Sequence, residues 1–246
     1  MSIVALDPVS VVMVAFNEAE TIEAEVLSFY DAIVRQLPGS EFIVAEDGST
    51  DGTSEILREL AARIGITHLT GTERKGYKRA FLDAVLATRN PYVFFSDSGC
   101  KHNPEEFWKL YPLRQDYDLI VGRKTARKDQ LYRQALTWSY NFLLRWYFGF
   151  EEVRDADSGF RLFNRNVVDR VLRERLIYRN LMASEVVLRS IAYGLKYHEV
   201  PVSYDLREGE SRGLPLGKIP SIAVEALRRM AHLKSEFRVL AAERRL

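Results

Sequence analysis

The chain is short of cysteine, of long apolar runs and of any excess charge, and each shortage removes a class of protein. A single cysteine, Cys100, among 246 residues leaves no internal disulfide framework, and a reducing cytoplasm is the expected compartment. Lysine and arginine number 35 against 34 aspartates and glutamates, a net charge of +1, so no global field draws nucleic acid. The most apolar later stretch, LTWSYNFLLRWYFGF, carries Asn141 and Arg145 and is too short to span a bilayer. The N-terminal MSIVALDPVSVVMVAF has no basic leader and is broken by Asp7-Pro8, which argues against a signal peptide.

What is present is an alternation. VSVVMVAF is a β-branched run that ends at Asn17-Glu18, and a helical pattern follows as far as Pro38-Gly39. EFIVAEDGSTDGT is a second strand breaking into a turn, SEILRELAARI a helix, THLTGT a short strand, YKRAFLDAVLATR a helix, and PYVFFSDS another buried strand. Strand, loop and helix in this order predict parallel strands joined by right-handed crossovers. In such sheets ligands bind beyond the carboxyl ends of the strands, and Asn17, Glu18, Asp47, Ser49, Asp51 and Asp97 all fall there. Taken alone, the loop Asp47–Thr53 is a turn with a helix cap; with Asp97 on a third strand end, the set reads as a site.

Six segments, VVMVAFNEAETI, EFIVAEDGSTDGTSEIL, RKGYKRAFLDAV, YVFFSDSGCKHNPEEF, DADSGFRLF and HEVPVSYDLREGESR, occur in the order found in family 2 glycosyltransferases. The chain resembles the dolichol-phosphate mannose synthase and polyprenyl-phosphate glycosyltransferase group over roughly Val9 to Arg212. The resemblance implies a GT-A fold: α/β, Rossmann-like, with a mostly parallel central sheet, helices on both faces and a C-terminal helical extension. It divides the chain into a catalytic domain, 1–212, and an amphipathic helical extension, 213–246. It also implies a nucleotide-sugar site at Ala15, Asn17, Glu18, Asp47, Gly76, Asp97 and Lys101. The acceptor phosphate falls to Arg123 and Arg133, with Thr137 where the group has serine. Asp155 and Asp157 stand where the group has an acid beside the transferring sugar, and Arg207 in a loop that closes over the diphosphate; with Asp97 these are the expected catalytic residues. His102 is expected to serve as loop scaffold, and Glu185 to orient the closing loop or a sugar hydroxyl.

One motif departs from the group. Its Asp-x-Asp-x-Gln, which helps to bind a divalent cation, reads here Asp97-Ser98-Gly99-Cys100-Lys101. Magnesium and manganese need several oxygen ligands, and Asp97 alone remains as a metal ligand. Three readings stay open: the Lys101 ammonium replaces the metal against the diphosphate, the transferase is weak or inactive, or Lys101 faces solvent. The expected partners are a GDP- or UDP-linked sugar and a polyprenyl phosphate, and the expected reaction is inverting transfer of a hexose of mannose or glucose type. The alternatives are a soluble hydroxyl acceptor, with Asp155 or Asp157 as base, and nucleotide-sugar binding without turnover.

Six basic residues against one acidic between Arg123 and Arg145 suit an anionic acceptor, whereas a solvated basic loop is the plain reading of Lys124, Arg127 and Lys128. Trp138, Phe142, Trp146 and Tyr147 either line an apolar path or belong to the core. The tail has Leu227, Met230, Leu233, Phe237 and Leu240 at helical spacing among basic residues. It either packs on the domain or lies on the inner face of the membrane as a peripheral contact.

Overall fold

Strand β1 (Val9–Ala15), apolar except for Ser10, is buried along its whole length, because it has a sheet neighbour on each side and helices above and below. The structure, a computed structural model, describes residues 6–71, 73–125, 131–173, 176, 181–204 and 219–243, with backbone only at 131, 133, 219–222 and 243. Parallel to β1 run β2 (Glu41–Glu46) and β4 (Tyr92–Asp97), and β3 (Thr67–Leu69) continues the sheet beyond β2. On the far side of β4 come β6 (Phe160–Asn164), β5 (Leu119–Thr125) and β7 (Tyr197–Ser203), giving the order β3-β2-β1-β4-β6-β5-β7. β6 is antiparallel to both of its neighbours, and β5 and β7 are parallel. The expected mostly parallel sheet is therefore present, with one reversed strand beside its centre.

Side chains alternate along the strands, so each face has its own core. Val12, Val14, Ile43, Val93 and Phe95 pack with α3 (Tyr77–Leu86), α5 (Leu131–Phe148) and α7 (Met182–Ala192). Val11, Met13, Phe42, Val44 and Phe94 pack with α1 (Ile22–Phe29), α2 (Thr53–Ile64) and α4 (Phe107–Leu110). Between β6 and α7 the short α6 (Arg165–Val167) returns the chain.

The last helix, α8 (Ile219–Glu243), buries Met230 and Leu233 in the first core and lays Phe237 against Phe148 at 5.7 Å between ring centres. Its inner face is thus packed on the domain, while Val224, Leu227 and Val239 stay exposed. The expected boundary at 212/213 lies outside the described residues. No helix among the described residues is long and apolar enough to cross a membrane.

A buried ion cluster fastens α8. Arg189 on α7 donates to Glu185 at 2.8 Å and to both carboxylate oxygens of Glu236 on α8, at 2.5 and 3.1 Å. Glu185 is fully buried, so its charge relies on this pairing and is spent inside the fold. Arg189→Ala is therefore expected to cost about 3 kcal/mol, since removing one partner of a buried pair leaves an uncompensated charge. A urea unfolding midpoint measures it, and Glu236→Gln, at the half-exposed end, is expected to cost less.

Candidate active site

Three strand ends and one returning loop build the site. Where β1 stops, Asn17 turns with φ 53°, in the left-handed region that asparagine tolerates. Its side chain accepts from the Thr50 amide at 2.9 Å while its own amide donates to Ser49 Oγ at 3.0 Å. The Glu18 amide donates to Thr53 Oγ1 at 2.8 Å. The loops after β1 and β2 are therefore stitched to each other. Asp47, buried beyond β2, accepts from the amides of Lys75 and Gly76 at 2.8 and 2.9 Å. It anchors the loop that leads into α3 and carries Arg74, whose guanidinium lies 3.9 Å from the centre of the Phe16 ring.

Asp97 ends β4. Its Oδ1 accepts from Tyr77 Oη at 2.5 Å, and its amide donates to the Gly159 carbonyl at 2.9 Å. A Cβ on Gly159 would stand 1.7 Å from Asp97 Oδ2, so no side chain fits there. This explains the glycine of the Asp-x-x-Ser-Gly-Phe segment. After Asp97 the chain turns through Gly99 at φ 104° and Cys100 at φ 53°, and the amides of both donate to Glu25 of α1, at 2.8 and 2.9 Å.

These groups line a cleft of about 420 Å3 that contains Glu18, Asp47, Arg74, Tyr77, Asp97, Ser98, Lys101 and Asp157. A second cavity of about 540 Å3 is lined by Arg123, Lys124, Thr137, Trp138, Asn141, Arg145, Arg154 and Asp155. The segment 155–158 separates the two, and its two aspartates face opposite ways. Asp155 lies on the basic side, where it accepts from the Lys124 amide at 2.9 Å and pairs with Lys124 Nζ at 3.4 Å. Asp157 is exposed and opens into the first cleft.

The segment is held from below. Buried Arg161 donates to the carbonyls of Ser158, Ala156 and Ala183 at 2.5, 2.9 and 2.7 Å. Glu199 of β7 accepts from the amides of Arg154 and Asp155 at 2.7 and 3.0 Å. His102 is buried against Phe160 and Tyr204. Burial brings its pKa down to about 4, with Lys124 and Lys101 acting in the same direction and Asp97 against it, so it is a neutral packing group at pH 7.

Of the expected nucleotide-site residues, Glu18, Asp47, Asp97 and Lys101 meet in one cleft. Ala15 is buried at the end of β1, with its carbonyl accepting from the Asp47 amide. Gly76 lies on the Asp47 carboxylate and Asn17 on the adjoining loop seam. Arg123 and Thr137 share the basic cavity; Arg133 lies in α5 with its side chain outside the described residues, as is Arg207 altogether. Arg127 and Lys128 also lie outside them. Sequence reasoning passed over Arg154, Arg161, Glu25 and Tyr77. The signal for Arg161 and Glu25 was a charge inside an otherwise apolar strand or helix face.

Residues 10–172, more than half of the chain, match the model of glycosyl transferase family 2. The chain belongs to this family. It is a glycosyltransferase. A dolichyl-phosphate hexose transferase of Haloferax volcanii is 29% identical over 210 residues, covering 84% of this chain and 86% of the relative. An undecaprenyl-phosphate 4-deoxy-4-formamido-L-arabinose transferase of Sodalis glossinidius is 25% identical, covering 84% of this chain and 63% of the relative. Among solved structures, glucosyl-3-phosphoglycerate synthase from Mycobacterium tuberculosis with Mn2+ and UDP-glucose matches with TM-score 0.66 at 21% identity, over 90% of this chain and 77% of that one. A mannosyltransferase from Pyrobaculum calidifontis with GDP-mannose and Mn2+ matches with TM-score 0.60 at 18% identity, over 85% and 59%. These likenesses establish the GT-A fold.

The described residues of this transferase do not make the carboxylate clamp that a divalent ion takes in such a fold. Gly99 offers no side chain, Asp97 already accepts from Tyr77, and Glu25 is turned to backbone amides. Among the described residues no three His, Cys, Asp or Glu side chains are grouped to hold a metal.

Proposed function

We propose that the transferase moves a hexose, of mannose or glucose type, from a nucleoside diphosphate sugar to a polyprenyl phosphate with inversion at the anomeric carbon. The single observation that carries the reading is the second cavity. It lies across the 155–158 segment from the Asp97 cleft and has four basic side chains, Arg123, Lys124, Arg145 and Arg154, on its walls. An anionic acceptor suits such a lining, because arginine forks direct paired hydrogen bonds at phosphate oxygens.

The acceptor oxygen attacks the anomeric carbon, the bond to the nucleotide breaks, and the nucleoside diphosphate leaves with the electron pair. A phosphate monoester is largely ionised near pH 7, its second pKa being about 6, so the step needs alignment more than a base. Asp155, tied to Lys124, fits a group that holds the cavity wall. Lys101 and Arg74, both on the donor cleft, supply positive charge for the leaving diphosphate, and Arg207 joins them on the family resemblance.

The acceptor's lipid has a plausible path. Trp138, Phe142 and Trp146 recur every four residues on α5, 64%, 50% and 73% exposed, and Trp138 also lines the basic cavity. Their position against water supports the apolar path over the core reading. The relatives named for dolichyl- and undecaprenyl-phosphate support a lipid acceptor. A soluble hydroxyl acceptor is the second reading. It is favoured by Asp157, a carboxylate on the lining of the donor cleft, the kind of group a hydroxyl acceptor needs as base.

Incubation with radiolabelled UDP- and GDP-hexoses and a polyprenyl phosphate is expected to carry label into the organic phase, and label confined to water-soluble product overturns the lipid reading. Arg123→Ala and Arg154→Ala are each expected to raise KM for the acceptor about tenfold and to leave donor KM unchanged. Transfer is expected to survive full chelation by EDTA; activity lost to EDTA and restored by magnesium overturns the role given to Lys101. In vesicles, the pair Trp138→Ala and Trp146→Ala is expected to lower transfer to a long-chain acceptor but not to a short, water-soluble isoprenyl phosphate.

A further inference from the structure

Glu25 is a buried carboxylate on the inner face of α1, 4% exposed, at a helix position where an apolar residue would satisfy the core. Both of its oxygens are engaged. Oε2 accepts from the Gly99 amide at 2.8 Å and Oε1 from the Cys100 amide at 2.9 Å. Two consecutive amides converging on one anion form the kind of backbone concavity that loops use to hold phosphates and other anions. Here the chain fills the concavity with its own carboxylate.

The location gives this contact its meaning. Gly99 is where the group that the chain resembles has its second carboxylate, and Lys101 follows the turn directly. Lys101 reaches the cleft beside Asp97 and Ser98, and among the described residues it has no ion-pair partner. A lysine has four rotatable bonds, so holding its ammonium at one point costs side-chain entropy, and a backbone fixed beforehand avoids adding its own cost to that. Gly99 at φ 104° and Cys100 at φ 53° are conformations a free turn leaves readily, so something must hold them. Burial raises the Glu25 pKa, the two amides oppose the rise, and the charges of Glu18 and Asp97 add to it; a carboxylate kept there against that cost is consistent with a role in the turn.

We propose that Glu25 is a positioning residue. It braces the Gly99–Cys100 turn from beneath, so that Lys101 stands in the donor cleft as the built-in counter-ion of the sugar nucleotide's diphosphate. The proposal rests on the donor reading above and adds to it the residue that makes a lysine serviceable where a mobile cation would otherwise sit.

The test is a double-mutant cycle on the full chain, with UDP, GDP, uridine and guanosine binding measured by calorimetry. Glu25→Ala and Lys101→Ala are each expected to weaken binding of the preferred diphosphate about tenfold, the loss of one hydrogen bond to a charged group, and to leave nucleoside binding unchanged. In the Lys101→Ala background, Glu25→Ala is expected to add nothing. Hydrogen exchange over residues 98–101 is expected to quicken in Glu25→Ala whether or not nucleotide is present. Glu25→Gln, which keeps the shape and one acceptor oxygen, carries the cycle if the alanine variant does not fold. Losses that add independently, a nucleoside affinity that falls in parallel, or unchanged diphosphate affinity alongside faster exchange each overturn the brace. A wild-type chain that binds neither UDP nor GDP overturns the donor reading itself, and the brace with it; one that binds either nucleotide but shows no coupling overturns the brace alone.

Discussion

The carboxylate of Asp97 occupies the space that a side chain at position 159 would need, and much of the site's layout follows from that contact. β4 and β6 run in opposite directions, so the end of one meets the beginning of the other. The Asp97 amide to the Gly159 carbonyl closes the junction. With Gly159 pinned there, the residues before it must cross the carboxyl edge of the sheet, and segment 155–158 becomes a wall between two cavities. A sheet made only of parallel strands would bring the chain to this edge only as strands end, and no strand could begin there. The single reversed strand supplies the partition.

A partition of bare backbone would not hold its shape beside two water-accessible cavities. Its polar groups must find partners, and they find them in side chains that are themselves fixed. Arg161 gathers two of its carbonyls, Glu199 takes two amides, Asn141 accepts from the Ala156 amide, and Ser158 Oγ donates to the Gly122 carbonyl. The two cavities, donor and acceptor side on the proposed reading, therefore share one rigid element. A group presented from the basic cavity approaches the Asp97 cleft past the same backbone each time, which is the condition for in-line displacement.

The sheet was legible in the sequence because its signals are local: β-branched runs, turn residues and helical periodicity recur in order from Val9 to Asp97. The strand-end residues were legible for a related reason, since the position of a ligand site follows from the architecture. The division of labour between Asp155 and Asp157 was not. Two residues apart in an irregular segment, they differ only in the side of a wall they face, and that is decided by Gly159, Arg161 and Glu199 from elsewhere in the chain. Glu25 was hidden by a similar separation. Its periodicity marks a helix face, while its partners lie more than seventy residues downstream. The aromatic row on α5 shows the reverse failure: spacing alone fits a buried stripe as well as an exposed one, and only packing decides between them.

Gly99 carries a consequence for how the proposed diphosphate site can change. Its φ of 104° belongs to glycine, and an aspartate there would be strained before it could bind anything. Giving the turn back a second carboxylate therefore takes more than one substitution, because the backbone would first have to leave the conformation that Glu25 stabilises. Between a lysine-held and an ion-held diphosphate lie intermediate sequences in which neither arrangement is complete. The two solutions are separate basins, and a glycine's torsion angle forms the ridge between them.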